Sequence, residues 1–591
     1  MQRSEVKEQY KWAIEDVYAS DEAWESDYDR ALSMINFSKY AGTLGDKSKL
    51  FEYLKASEDF MKLVEKLAVY AYMKHDEDAR IAKYTSYNSK IGMLFSKYAE
   101  DVAFYEPEMA SMSEEYLKSL IADEKFSDYD YQFGQLLKRK EHVLGEGEEK
   151  LIALAGETFS TFKETFGMID NADLPLPEIE FEGQKVKLSH GLYGLIMRCP
   201  DRQKRKEAYE KYYAAYNSLL NTLTSTYYGN VKKDVFYSKA YKFNSCLERA
   251  LFEEDVDRAV YDNLLSSVAK SFPAMHRYIS DRKRILGYDK LYFYDIYAPL
   301  VGDVDFKMSY DDAYDYVIKG LAPLGKEYQA LLKKGHDERW IDVEETEGKR
   351  SGAYSTGITG IHPFVLLNYQ PTLNEVFTIA HEMGHSLHTY FSSLNQPYAK
   401  SDYRIFVAEV ASTVNEVLLL KFMLKEAKDE NLKKYLLNYY LDTIRATMHR
   451  QTLFAEFEFK AHDMVENGEP LTKENLCSLY AELGKKYYGE DIEHDYNISC
   501  EWCRIPHFYT AFYVYKYSTG IITAMNIANR ILTIGESAVK DYFKFLSGGS
   551  STDPVSLLKY AGVDLTLPQP FEFAMKEFDD TLREFEKLMG L

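Results

Sequence analysis

Most of this chain repeats apolar residues three and four positions apart, a period that confines it to helices packed on helices. The stretch LFEYLKASEDFMKLVEKLAVYAYMKH shows the pattern: charged positions alternate with apolar ones that return to one side of a helix. The same period runs from Trp12 to about Ala155 and predicts a helical bundle. It breaks at NADLPLPEIEFEGQKVKLSH, where Pro175 and Pro177 precede alternating residues and the turn Glu182-Gly183, which reads as a hairpin. A soft boundary near residue 190 follows, giving an N-terminal helical region, 1–190, and a second region, 191–591. Helical periodicity resumes from about Asp201 to Leu286, and DKLYFYDIYAPLV is aromatic and extended in character. KRSGAYSTGITGIHPFVLLNYQ then sets Gly352, Gly357 and Gly360 among β-prone residues, predicting strands in close backbone approach. Helix dominates after Thr372. The expected class is mainly α, with a small β-sheet in the second region.

Composition narrows the possible functions. With 591 residues the chain is long enough for several packing units. Its 51 Tyr residues supply many rings with an apolar face and a hydroxyl donor, most of which are expected simply to pack helices together. The formal charge of -22, with no dense basic stripe, argues against nucleic acid as a partner. The opening MQRSEVKEQYKWAIEDVYAS has acids and bases throughout and no apolar core, so no secretory leader is expected. The most apolar stretch, AEVASTVNEVLLLKFML, is interrupted by Glu409, Asn415, Glu416 and Lys421, so no membrane span is expected either. Cys199, Cys246, Cys477, Cys500 and Cys503 are too few and of the wrong parity for a disulfide framework. A reducing cytoplasm is the expected location. Cys500-Glu-Trp-Cys503 has the spacing of a zinc knuckle or redox pair but lacks the second pair or the βαβ context that either would need.

The chemistry concentrates in one segment. Thr372-Leu-Asn-Glu375 has the form of a capping box and predicts the start of a helix through VFTIAHEMGHSLHTYF. His381 and His385, four apart, lie about 40° from one another around that helix and project from adjacent turns toward a common point. That suits two ligands of one tetrahedral zinc. Glu382, about 100° around, is placed to reach a metal-bound water as general base without ligating the metal itself. With 13 His in the chain, His-Glu-x-x-His would arise by chance in roughly two of a hundred such sequences, so the motif carries weight. The third ligand sets the subclass. A metzincin would continue with Gly and then His, but His388 and Phe391 occupy those places. One helix cannot easily aim three imidazoles at one tetrahedral ion, so His388 is read as packing or as support for a ligand. Glu409, 24 positions after His385, follows a turn at Leu394-Asn-Gln-Pro397 and lies on the next helix, FVAEVASTVNEVLLL, where it is the best candidate. Glu416, seven further on, either orients a ligating His or is simply solvated.

An oxyanion needs a further donor besides the metal. RIPHFYTAFYVYKYSTG crowds His507, Tyr509, Tyr513, Tyr515 and Tyr517 into eleven positions, and His and Tyr are both suitable donors. With RSGAYSTG, LLNYQPTLNEVFTIAHEMGHSLH, FVAEVASTVNE and SGGSSTDPVSLLKYAGVDL, and with IEDVYASDEAWESDY near the N-terminus, the chain resembles oligoendopeptidase F of the thimet-oligopeptidase-like zinc peptidases over most of its length. The resemblance implies a large helical ellipsoid with a deep central channel, capped by the N-terminal region and holding one zinc per chain beside the sheet. It implies endopeptidase action on short unstructured peptides. It assigns His381, His385 and Glu409 as zinc ligands, Glu382 as general base, and His507 with Tyr515 as oxyanion donors. It also implies that the run from Gly357 to Leu367 pairs with substrate backbone, with Gly357, Tyr509 and Tyr513 as substrate contacts. Two rival readings are a carboxypeptidase using Arg504 to hold a terminal carboxylate and a silent peptide-binding scaffold. The Gly/Ser loop Ser547 to Ser551 lacks Gly-Lys-Ser/Thr and is no phosphate loop; helix capping, a hinge or contact with substrate is expected there.

Overall fold

In the computed structural model, which describes residues 1–302 and 306–591, the chain is mainly helical and its few strands are short. Local chemistry explains where helices begin. Asp46 accepts hydrogen bonds from the amides of Ser48 and Lys49 and so starts the long helix Lys47–Glu77. That helix buries Leu50, Tyr53, Leu54, Phe60, Leu63, Val64 and Leu67 along one side, as the spacing of these residues requires. They pack with Trp24, whose ring stacks on Tyr87 at 3.8 Å between centroids and whose indole N–H donates to Leu67 O.

The expected hairpin forms. Strands Glu178–Phe181 and Gln184–Lys187 pair antiparallel with Phe181 opposite Gln184. The two turn residues Glu182 and Gly183 have φ of 52° and 77°, the left-handed pair that a two-residue hairpin demands. In DKLYFYDIYAPLV only Leu291–Tyr292 is a strand, paired parallel with Ile492–Glu493, and a 3-10 turn follows at once.

Two compact units emerge, and neither ends at residue 190. The first comprises Met1–Val143, Asp305–Phe422 and Ile527–Val563; the second comprises Leu144–Val304, Met423–Asn526 and Asp564–Leu591. Residues after 143 go with the second unit because the helix Glu146–Met168 packs on Leu220–Ala240. Gly229 lies there so close to the Phe162 ring that a Cβ would stand 2.3 Å from it.

In the first unit a three-stranded sheet lies against the helix Leu373–Asn395, as expected from the Gly-containing run. Its order is Ile341–Asp342, Phe364–Leu366, Tyr354–Thr356, the first pair parallel and the second antiparallel. Tyr354–Thr356 is therefore an edge strand, whereas Phe364–Leu366, inside the run Gly357 to Leu367 expected to pair with substrate, is central and paired on both sides. Ser355 Oγ meets Ser386 Oγ of the helix at 2.8 Å, and Gly357 comes so near Thr389 that a Cβ would stand 2.3 Å from its methyl. Among the described residues no helix is long and apolar enough to cross a membrane.

Candidate metal centre

Leu373–Asn395, hereafter the histidine helix, begins after Thr372 as expected, but the capping box does not form. The Thr372 amide already donates to Gln370 O at 2.7 Å, so Glu375 has no orphan N–H to meet there. The helix ends at Asn395, a short helix Tyr398–Ser401 turns the chain, and Ile405–Glu426, the glutamate helix, returns it. The Gly/Ser loop braces this turn. Ser547 O accepts from Gln396 Nε2 at 2.8 Å, and Ser550 N donates to Lys400 O at 2.9 Å. Gly549 lies at φ 50°, with a notional Cβ only 2.0 Å from Lys400 O.

The two helices touch at the centre of the motif. A Cβ on Gly384 would stand 2.5 Å from Ser412 Cα and 2.7 Å from Ala411 O, so only glycine permits this approach. Asn415 fixes the register: its Nδ2 donates to Ala380 O at 2.9 Å, and its Oδ1 accepts from the buried Tyr328 hydroxyl at 3.0 Å.

That contact assembles the ligand set. His385 Nε2 lies 3.1 Å from His381 Nε2, and both nitrogens lie 3.4 Å from Glu409 Oε2. Ligands held tetrahedrally at zinc distances stand about 3.3 Å from each other, so this triangle fits a zinc ion. The three donors form the one group of metal-binding geometry among the described residues. Glu416 bonds to His381 Nδ1, which fixes the proton there and turns the Nε2 lone pair toward the triangle. This selects the orienting role over the solvated alternative. Ser412 Oγ donates to Glu409 Oε2 at 3.2 Å and steadies the carboxylate.

The electrostatics follow from this crowding. Burial opposes charge on His381, but the hydrogen bonds it donates to Glu409 and Glu416 outweigh it and raise its pKa to about 10 in the metal-free chain. Burial also opposes charge on Glu409, yet His381 and His385 hold it well below the usual carboxylate range. Glu382 is 7% exposed and not part of the triangle; burial raises its pKa against the pull of the two histidines. A proton acceptor with an upward-shifted pKa suits general-base work near neutrality. His388 stays out of the set. Its ring is fully buried, stacks on Tyr403 at 3.8 Å, and is held neutral by burial with a pKa near 3.

The expected oxyanion donors lie in the second unit, which separates them by burial. His507 is exposed, and burial on its inner side lowers its pKa. Its Nε2 is 3.4 Å from the Tyr517 hydroxyl, and its ring stacks on Tyr513 with centroids 6.1 Å apart. Tyr515, by contrast, is 1% exposed and packs edge-on against Tyr261 in the core. The helix Tyr515–Ile534 begins at this residue, and its period turns Tyr515 inward while Tyr517 stays partly exposed. Tyr509 is likewise buried, stacked on Phe166 at 4.4 Å. Gly357 lines a cavity of about 430 Å³ with Thr389, Tyr390 and His362.

Two residues that spacing could not reveal support the His507 segment. Phe512 has φ 53°, and its amide donates at 2.8 Å to Glu458, a fully buried carboxyl whose pKa burial raises to about 8. Asn230 Nδ2 donates to Phe508 O at 3.3 Å. Arg504 is already engaged: it pairs with Glu501 and donates to the Tyr213 hydroxyl at 3.2 Å, which removes it as a free anchor for a terminal carboxylate.

The pattern of peptidase family M3 matches residues 195–577, and that of oligopeptidase F matches residues 108–175. Oligopeptidase PepF of Bacillus subtilis is 42% identical over 99% of this chain and 88% of its own length. An oligoendopeptidase F homolog of Lactococcus lactis subsp. lactis is 41% identical over 99% and 98%. The crystal structure of a putative peptidase from Chlamydophila abortus superposes with a TM-score of 0.93 at 36% identity, covering 99% of both chains. That of oligoendopeptidase-F from Enterococcus faecium gives 0.75 at 34% identity, covering 96% and 99%. With a metal-binding triangle on a His-Glu-Met-Gly-His helix and full-length similarity to these enzymes, the chain belongs to peptidase family M3 and is a metallopeptidase of the oligoendopeptidase F kind.

Proposed function

We propose that this chain is a zinc-dependent endopeptidase that hydrolyses internal bonds of short unstructured peptides. The observation that carries the reading is the triangle of His381 Nε2, His385 Nε2 and Glu409 Oε2, with Glu382 beside it on the histidine helix. Those three atoms would hold the metal. A zinc ion bound there supplies a Lewis acid that polarises a peptide carbonyl and acidifies water.

The rest falls to the chain itself. Glu416 keeps the His381 proton on Nδ1 and so presents Nε2 as a donor. Glu382 takes the proton of the attacking water on its carboxylate and returns it to the leaving amine. The edge strand Tyr354–Thr356 offers backbone N–H and C=O groups to an extended peptide, a way of holding substrate that tolerates many sequences. Gly357, just past its end, leaves no room for a side chain against Thr389 and so lets the strand end pack on the histidine helix. The resemblance assigns oxyanion donation to His507 and a tyrosine. The pairing of His507 with Tyr517 and Tyr513 favours these over the buried Tyr515 as its partner.

An internally quenched peptide blocked at both ends tests the proposal. Cleavage is expected, with loss on chelation, recovery on adding zinc, and a fall in kcat of at least about 100-fold in Glu382→Gln. An intact blocked peptide would instead indicate an exopeptidase, and activity surviving Glu382→Gln would remove that residue as the base.

A further inference from the structure

Cys500 and Cys503 have the spacing of a sulfur pair, but the sulfur that meets Cys500 is that of Cys477, 23 positions earlier, at 3.5 Å. Both belong to the second unit. Cys477 sits in the second turn of the helix Lys473–Tyr488, while Cys500 stands where the short helix Tyr496–Ser499 gives way to the 3-10 turn Glu501–Arg504. The two sulfurs differ in setting. Cys477 is partly exposed, and Cys500 is fully buried behind it. The Trp502 indole N–H points at Cys477 Sγ from 3.5 Å, and Ser499 Oγ lies 3.9 Å from Cys500 Sγ. Donation from Cys500, against burial and helped by Trp502, lowers the Cys477 pKa to about 7, while its neighbour's thiol is pushed up. An accessible thiolate backed by a buried thiol is the arrangement of an attacking and a resolving cysteine.

We propose that Cys477 is a hydroperoxide-reactive thiol and that Cys500 resolves it, so that peroxide converts the pair to a disulfide. In the first step Cys477 Sγ attacks one peroxide oxygen. An S–O bond forms, the O–O bond breaks, and the leaving oxygen takes a proton to become water or an alcohol. Cys477 is oxidised by two electrons to the sulfenic acid and the peroxide is reduced. In the second step the Cys500 thiol gives up its proton as its sulfur attacks Cys477 Sγ. The S–S bond forms, the S–O bond breaks, and the departing hydroxide takes that proton and leaves as water. The sulfurs must close from 3.5 Å to about 2.0 Å, a move that Cys500, at a junction between two short turns, can make. A thiol reductant reverses the reaction by disulfide exchange. Of the other three cysteines, Cys246 and Cys503 are buried, and burial pushes both thiols up, while the partly exposed Cys199 donates to Asp201 O at 3.5 Å.

The test uses the full chain, stoichiometric hydrogen peroxide, alkylation after unfolding, and mass spectrometry of unreduced peptides. The expected product is one cross-link, Cys477 to Cys500, lighter than its two thiol peptides by about 2 Da, with the other three cysteines alkylated. Cys500→Ser should abolish the cross-link and leave Cys477 as a sulfenic acid trapped by dimedone; Cys477→Ser should leave Cys500 a thiol. Alkylation of native wild-type protein should titrate with a midpoint near pH 7, and the midpoint should rise in Cys500→Ser, a readout that needs no oxidant. A cross-link to another cysteine, oxidation of Cys477 past the sulfenic acid without a cross-link in wild type, or no reaction at all would each overturn the proposal.

Discussion

Glu416 shows how much one side chain decides. It is not a ligand, yet its bond to His381 Nδ1 selects the tautomer that leaves Nε2 free for metal. Replacing it with alanine is expected to weaken zinc binding by about 10- to 100-fold, read by titration against a competing chelator. Unchanged affinity would reduce Glu416 to a bystander. His449 carries a different prediction. It is fully buried in the second unit, accepts or donates one hydrogen bond with Ser271 Oγ at 2.9 Å, and packs on Phe578. Burial, aided by Arg445, lowers its pKa to about 3, whereas the unfolded chain titrates near 6.5. Between those values the unfolded state binds the extra proton. The stability that a neutral His449 contributes is therefore whole above about pH 6.5 and lost as pH falls toward 3, by up to about 1.4 kcal/mol per unit. In His449→Phe, urea unfolding at a series of pH values should show a slope shallower by that amount between pH 6 and 4. An identical slope would contradict the assignment.

At the scale of elements, the centre depends on two helices meeting at a glycine. In Gly384→Ala the new methyl would press on the backbone of Ser412 and Ala411, which no side-chain rotation relieves. A cost of roughly 2–3 kcal/mol is expected, together with reduced zinc content, because Glu409 sits on the displaced helix. A variant that keeps both its melting temperature and its metal would show that the contact tolerates a methyl. The segment carrying His507 depends on a buried acceptor in the same way. Glu458 fixes the Phe512 amide at a left-handed backbone position that phenylalanine adopts only when held. Glu458→Ala is expected to lower kcat on the order of tenfold with KM little changed, and Glu458→Gln, which keeps the acceptor, to restore it. Equal kcat in all three proteins would separate this loop from catalysis.

For the whole molecule, each unit gathers three stretches of chain, and all three proposed ligands lie in the first. Metal should therefore stabilise one unit before the other. At a thousandfold excess of zinc over its dissociation constant the gain is about 4.1 kcal/mol. Chelation is expected to raise amide hydrogen exchange in the histidine and glutamate helices first, ahead of the helices Glu430–Ile444 and Arg450–Glu466 of the second unit. Uniform loss of protection would mean that the two units unfold as one. The division by packing was not legible in the chain, because a fall in helical period near residue 190 marks a change of local structure and not the surface on which the flanking helices pack.

Local pattern alone determined the mainly helical class, the hairpin at Glu182-Gly183, the strands before Thr372 and the placing of two candidate ligands, His381 and His385, on one face of a helix. Each rests on residues within one or two turns of each other, where backbone geometry translates spacing directly into direction. Glu409 was also within reach, since a short connection leaves the next helix little choice but to pack on the last. Tertiary packing decided the rest. It made Gly384 the point of helix contact, gave Glu416 to His381, turned Tyr515 inward and Tyr517 toward His507, and brought Cys477 rather than Cys503 to Cys500. These outcomes depend on which face of an element is buried and on what stands opposite. Neither is written in the spacing of neighbours along the chain.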